Sequence, residues 1–256
     1  MIPLRDQEYL RDRFARELTG AVRVDYFTQR QLPIFIPGRE ECPYCEDAQT
    51  MLKELAALSE KIALSVHEFS ESLAEAARLH VDKVPGTVIR GAINRPVRFF
   101  GFAAGQQFPA FVEGIVDASR GKASLSTETV RQLRKLQKTV ALQVFVTPEC
   151  PHCPEMTRLA HSMALESARV GVDVVEISEF PRLAGRYRVQ AVPTMIVEER
   201  VVLVGAMSES DLVNSIVDYA RGKTLAGPAG PVGASTPLGQ PAQPAQQRRG
   251  SGLILP

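Results

Sequence analysis

Charged stretches with helical spacing and short apolar runs succeed one another from Arg5 to Ala220. In the first half, Arg5–Leu18 predicts a helix. Val22–Phe27 and Leu32–Ile36 are apolar runs of strand length, and the stretch from Cys45 to about Leu58 predicts a second helix. In the second half, Leu133 and Leu136 sit on a charged helical stretch over about Thr127–Lys138. Ala141–Val146 is a short apolar run closed by Thr147-Pro148, which suits a buried strand. Met156, Leu159, Ala160 and Met163 then recur at helical spacing, and Val172–Ile177 is the next apolar run. Thr194–Val197 and Val201–Val204 predict a hairpin, and Leu212–Ala220 a closing helix. Strands alternating with helices imply an α/β class with a mostly parallel sheet covered on both faces.

The two halves repeat one another. Cys42 to Cys150 and Cys45 to Cys153 are each 108 positions apart, as are Pro85 to Pro193 and Glu68 to Glu176. Gly101 to Gly205 is 104 apart, and Ile115–Gly121 to Ile216–Gly222 is 101, so small extra segments lie in the first copy. Four landmarks in one register predict two copies of one domain, over 1–122 and 123–222. From 227 to 256, 12 of 30 residues are Gly or Pro, a composition that cannot offset the entropy of ordering. A disordered tail is expected over 223–256, and Leu253–Leu255 is expected to be part of that frayed end.

Composition narrows the function. Lys and Arg total 30 against 29 for Asp and Glu, which argues against a dedicated nucleic-acid binder. No uncharged apolar run approaches the ~20 residues of a membrane helix, and charges within Met1–Glu8 stand where a signal peptide has its apolar core. A soluble, cytoplasmic protein without nucleic-acid or membrane partners is therefore expected.

All four cysteines belong to Cys-x-x-Cys pairs, Cys42-Pro43-Tyr44-Cys45 and Cys150-Pro151-His152-Cys153. Rings this short remove little entropy from an unfolded chain, so they make poor staples. Between a strand and a helix, the first sulfur lies at the helix N-terminus, where free N–H groups and the dipole favour an anion. Cys42 and Cys150 are thus candidate nucleophiles, with Cys45 and Cys153 placed to resolve a mixed disulfide. Pro43 and Pro151 fit the first helical turn. Tyr44 is neutral, whereas His152 can be cationic near neutral pH and would stabilise the Cys150 thiolate. The second centre is therefore expected to be the more oxidising.

A proline opening a strand-like run belongs at an edge, a bulge or a cis turn. If Pro85 and Pro193 are cis and face the cysteines, the backbone of Val84 and Val192 can pair with an extended substrate. Glu68 and Glu176 end apolar runs in register; either could accept the resolving cysteine's proton with a pKa raised by burial, or simply be a solvated strand end. His67, His80 and His161 have no partner at ligand spacing, so surface or helix-face roles are expected.

Tandem units with Cys-Pro-Tyr-Cys and Cys-Pro-His-Cys, each followed in register by Val-Pro, resemble the protein disulfide oxidoreductases, glutaredoxin-like proteins of two fused thioredoxin folds. Arg98–Gly105 and Val144–Pro154 look especially close, and the resemblance covers about residues 1–222. It implies two tandem thioredoxin-like folds, each a central mixed sheet flanked by helices. It also implies thiol–disulfide exchange on protein substrates, no bound cofactor, and re-reduction by a thioredoxin-reductase-type flavoprotein. His152 departs from the family, where Tyr is usual, and Cys-Pro-His-Cys resembles a periplasmic disulfide-forming oxidase. The chain also lacks the buried Asp that thioredoxin has six positions before its first cysteine; Ile36 and Val144 stand there. An electron relay from a flavoprotein to a peroxiredoxin, resembling the tandem thioredoxin-fold arm of alkyl hydroperoxide reductase, is the alternative within redox chemistry. A zinc site is the alternative of another class, although two pairs 108 residues apart lack the short spacing of a zinc module.

Overall fold

A computed structural model describes residues 2–30, 41–223 and 236–237. The run expected over Leu32–Ile36 and nearly all of the expected tail lie outside the described residues. The first half contains α1 (Leu4–Glu17), β1 (Val22–Thr28), α2 (Cys45–Ala57), β2 (Ile62–Glu68), α3 (Leu73–Leu79), β3 (Gly86–Arg90), β4 (Val97–Phe100) and α4 (Gln107–Arg120). The second contains α5 (Thr127–Arg134), β5 (Val140–Val146), α6 (Cys153–Glu166), β6 (Val170–Glu176), α7 (Pro181–Tyr187), β7 (Ala191–Val192), β8 (Thr194–Val197), β9 (Val201–Val204) and α8 (Glu209–Ala220). A short β10 (Thr236–Pro237) pairs antiparallel with β7.

Eight strands form one sheet in the order β2-β1-β3-β4-β6-β5-β8-β9. Within each half one pair is parallel (β1 with β2, β5 with β6), and the strands that follow run antiparallel (β1–β3–β4, β5–β8–β9). The sheet is therefore mixed. The mostly parallel sheet expected from strand–helix alternation is corrected: β3–β4 and β8–β9 are hairpins, and a hairpin has no helix to force a parallel return.

A strand pairing and a helix packing join the two halves. β4 pairs parallel with β6, Phe100 facing Val175, and Arg98 bridges to Asp173 across that pairing. Beside it α4 packs on α6, where Thr157 Oγ1 donates to Gln107 Oε1 at 2.8 Å. One continuous apolar core runs through both halves, from Phe14 and Tyr26 through Phe99, Phe108 and Phe111 to Phe145 and Ile216. Helix starts are fixed locally: Ser126 and Ser208 accept the N–H of Thr129 and Asp211, the usual N-cap bond. No helix among the described residues is long and apolar enough to cross a membrane.

Candidate active site

In each half a β-strand, β1 or β5, precedes a turn that carries Cys-x-x-Cys into a helix. Cys45 and Cys153 are the first residues of α2 and α6, with Tyr44 and His152 as N-caps. The Cys45 N–H donates to the Cys42 carbonyl at 3.4 Å, and that of Ala48 to Tyr44 at 2.9 Å. Pro43 and Pro151 consequently stand in the turn ahead of the helix, not in its first turn as expected, because the helical bonds start only at the second cysteine. Pro154 occupies the first turn of α6 instead. Cys42–Cys45 and Cys150–Cys153 are both disulfides with Cα atoms 5.4 Å apart, and all four cysteines are buried. The sulfurs lie where first-turn N–H groups have no helical partner and the dipole is positive.

Val84-Pro85 and Val192-Pro193 are both cis. The carbonyl of each proline accepts an N–H at 2.8 Å from a glycine just after the hairpin that the proline opens, Gly101 after β4 for Pro85 and Gly205 after β9 for Pro193. Both glycines have φ +96°, a conformation that favours glycine, so the repeat holds at the level of backbone dihedrals. In the second half Cys150 Sγ lies 3.8 Å from the Val192 carbonyl oxygen, which puts the Val-Pro edge beside the disulfide. Thr236–Pro237 pairs with that edge.

Around this common frame the two centres differ. The half-exposed Tyr44 ring stacks on Phe102, with centroids 6.2 Å apart. Burial raises the Tyr44 pKa, and the negative charges of Glu179, Glu176, Asp47 and Glu149 raise it further. Tyr26 donates its hydroxyl to the Cys45 carbonyl at 2.7 Å, and Gln29 N–H points at Cys45 Sγ at 3.4 Å. In the second centre, Ala206 follows Gly205 where Phe102 follows Gly101, and His152 replaces Tyr44. No aromatic ring stacks on that turn through residue 206.

Glu68 and Glu176 occupy the same register in different surroundings. Glu68 lies on the sheet-edge strand β2, half-buried, and accepts the Arg30 N–H and the Ser70 hydroxyl. Glu176 lies on interior β6, is only 2 % exposed, and accepts the Ser178 N–H and hydroxyl and the Glu179 N–H. Burial drives its pKa up, against those three bonds. Glu179, which the sequence did not single out, has burial as the main cause of a pKa pushed up to about 8, with Glu176 adding to the rise. The available signal was its match with Glu71, at the same 108-residue offset as the cysteines. Phe102 and Tyr26 were also not singled out. The three noted histidines differ in burial: His161 is 2 % exposed against Arg98 O, His67 is half-buried beside Asp25, and His80 ends α3 exposed. His161 is thus a core residue of a helix face, not a surface one.

Among the described residues no cluster of three or more His, Cys, Asp or Glu is gathered as a metal ion needs. The four cysteines are closed as two separate disulfides and do not converge on one point.

The family described as Thioredoxin domain matches residues 140–218. A thioredoxin of Methanocaldococcus jannaschii is 35 % identical over 78 residues, 30 % of this chain and 92 % of that protein. The F component of alkyl hydroperoxide reductase from Xanthomonas campestris pv. phaseoli is 21 % identical over 163 residues; these are 64 % of this chain but only 29 % of that longer protein. The crystal structure of a protein disulfide oxidoreductase from Aeropyrum pernix K1 superposes with TM-score 0.77 at 24 % identity, covering 88 % of this chain and 96 % of that one. That last likeness shows the fold across both halves. Through its second half, the chain belongs to the thioredoxin family.

Proposed function

We propose that this chain, a thioredoxin-like disulfide oxidoreductase with two Cys-x-x-Cys centres, exchanges disulfides with protein substrates and draws electrons from a thioredoxin-reductase-type flavoprotein. What carries the proposal is the pairing of a helix-start disulfide with a Val-Pro edge, seen most directly in the 3.8 Å from Cys150 Sγ to the Val192 carbonyl oxygen. The division into 1–122 and 123–222 gives each unit one centre. A cytoplasmic site of action fits cycling cysteines better than stapling ones.

In the reducing direction, the Cys150 thiolate attacks one sulfur of a substrate disulfide. That S–S bond breaks, the attacked sulfur enters a mixed disulfide with Cys150, and the other substrate sulfur leaves as thiolate to take up a proton. The Cys153 thiolate then attacks Cys150 Sγ, closing the internal disulfide and releasing the second substrate thiol. Two electrons pass to the substrate, and the flavoprotein returns two to the chain. Cys42 and Cys45 play the same parts in the first unit. An extended substrate segment would pair with the backbone at Val84 or Val192 in the manner of strand addition; at Val192 it would take the place of Thr236–Pro237. Glu68 and Glu176 are proposed as proton acceptors for the resolving thiols. No bound cofactor beyond the two disulfides is invoked.

The second reading, a relay from a flavoprotein to a peroxiredoxin, is favoured by the likeness to the F component of alkyl hydroperoxide reductase. Insulin reduction by the full chain under dithiothreitol tests the first. Each of Cys42→Ser/Cys45→Ser and Cys150→Ser/Cys153→Ser should keep part of the activity, and the fourfold variant none. A fourfold variant as active as the parent would sink the proposal. Reduction of a peroxiredoxin without reduction of insulin would turn it into the relay.

A further inference from the structure

The tandem repeat places the same two carboxylates in both halves, Glu68 with Glu71 and Glu176 with Glu179. Their fates differ because β2 is an edge strand and β6 is an interior one. Glu71 is exposed and faces Arg30 at 3.9 Å. Glu176 and Glu179 are instead walled in by the chain that leaves β4 of the other half. A Cβ built on Gly101 would stand 2.7 Å from Glu176 Cβ and 2.9 Å from Glu179 Oε1.

The stretch Gly101–Phe102 also touches the first centre. Gly101 N–H donates to the Pro85 carbonyl, and the Phe102 ring stacks on Tyr44, inside Cys42-Pro-Tyr-Cys45. The Phe102 N–H donates to Glu179 Oε1 at 2.6 Å. Glu179 Oε2 is buried and has no partner. A second-half carboxyl therefore accepts the backbone N–H of the residue whose ring stacks on Tyr44 of the first-half Cys-x-x-Cys.

We infer that Glu179 is a positioning residue for the Cys42–Cys45 centre: its proton state, set across the join between the halves, tunes how readily that centre accepts electrons. This rests on the proposed exchange chemistry. Glu176, with three hydrogen bonds, carries the negative charge of the pair, while Glu179, which accepts one backbone N–H and whose side-chain contact with Glu176 favours the protonated form, keeps its proton until pH rises to about 8. The titratable groups it interacts with among the described residues are Glu176 and the phenols of Tyr26 and Tyr44, and these in turn feel Glu149 of the turn before Cys150 and Asp47 of the first turn of α2. All of these groups are acidic, so ionising Glu179 adds negative charge to groups of its own sign. That charge opposes a Cys42 thiolate, disfavours the reduced form and makes the first centre more reducing above pH 8 than below it.

The test uses full-length Cys150→Ser/Cys153→Ser protein, which leaves only the first centre, equilibrated with reduced and oxidised glutathione at pH 6 and pH 9. In that reaction the disulfide and two glutathione thiols give the dithiol and glutathione disulfide, so two electrons and two protons balance. Glu179→Gln copies the protonated carboxyl. It should leave the equilibrium constant within about twofold at pH 6 and shift it toward the dithiol by roughly three- to tenfold at pH 9, the size of one added charge at short range through protein. A purely structural role would move both pH values alike, and equal shifts at pH 6 and pH 9, or none, overturn the inference. Should Glu179→Gln fail to fold, the Phe102 amide in the parent gives a second measurement. Its NMR resonance should titrate near pH 8 with the centre oxidised and at higher pH with it reduced; a flat profile overturns the inference. If the parent shows no exchange with glutathione at any pH, the proposed chemistry itself fails, which is a separate outcome.

Discussion

Two residues at one repeat position, Tyr44 and His152, put a phenol in one centre and an imidazole in the other on the same backbone. Both are N-caps one residue before the second cysteine. A cationic imidazole there favours a thiolate at Cys150, and a stabilised thiolate makes the disulfide the stronger oxidant. In Cys42→Ser/Cys45→Ser protein, His152→Tyr should therefore make the second centre more reducing, by about three- to tenfold in its equilibrium with glutathione at pH 7. No change would show that the imidazole exerts no charge on Cys150. At this scale the chemistry was legible in the sequence: the cysteines and the prolines announce themselves by type and shared register. Phe102 did not, and Glu179 did so only through its register with Glu71, because what matters about both is which strand lies alongside, and residue identity carries no sign of that.

The same pair of glutamates is solvated next to β2 and buried next to β6, a difference in the placement of elements and not in their sequences. The hairpin Thr194–Val197 with Val201–Val204 was readable because both runs are short, apolar and separated by three polar residues. Strand direction was not, since a half-buried apolar run looks alike in a parallel and an antiparallel pair. Nor did periodicity forecast α3 and α7, which are seven residues each and too short to display a clear helical stripe. The turn after β4 shows how tightly the join is drawn. Gly101→Ala puts a methyl 2.7 Å from Glu176 Cβ at φ +96°, and should destabilise the protein by about 2–4 kcal/mol in urea unfolding. Gly185 in α7 has nothing within 4 Å of a built Cβ, so Gly185→Ala should be neutral or stabilising by up to about 1 kcal/mol. Gly222→Ala, at φ +78° with nothing within 4 Å, isolates the backbone cost, and if it costs as much as Gly101→Ala, local backbone preference and not contact across the join governs Gly101.

On the scale of the whole molecule, one sheet and one core run through both halves, and three titratable groups shifted by burial, His161, Glu179 and Asp117, lie on elements that meet at the join. His161 on α6 lies with Nε2 3.3 Å from the Arg98 carbonyl, its Nδ1 unpartnered and 3.4 Å from a Cβ built on Gly114 of α4. Burial, assisted by the Arg98 charge, pushes its pKa down to about 4, below the ~6.5 of an unfolded histidine. The unfolded chain then takes up the proton first, so stability falls as pH drops from about 6.5 through 4. Glu179 acts with the opposite sign. Its folded pKa of about 8 lies above the ~4.3 of an unfolded glutamate, so the stability it lends below that value is lost as pH rises toward 8. Asp117 on α4, raised by burial to about 6, adds a loss of the same sign that is complete by that pH. Differences between variants isolate each group better than the parent's curve does. Thermal unfolding should show the advantage of Glu179→Gln over the parent growing from pH 5 to pH 8, and the advantage of His161→Leu growing from pH 7 to pH 4. Each limb has a slope of up to about 1.4 kcal/mol per pH unit. Because both groups sit at one shared interface, the halves should unfold in a single transition at every pH between. Two resolved transitions would mean that β4–β6 and α4–α6 do not hold the halves in one cooperative unit.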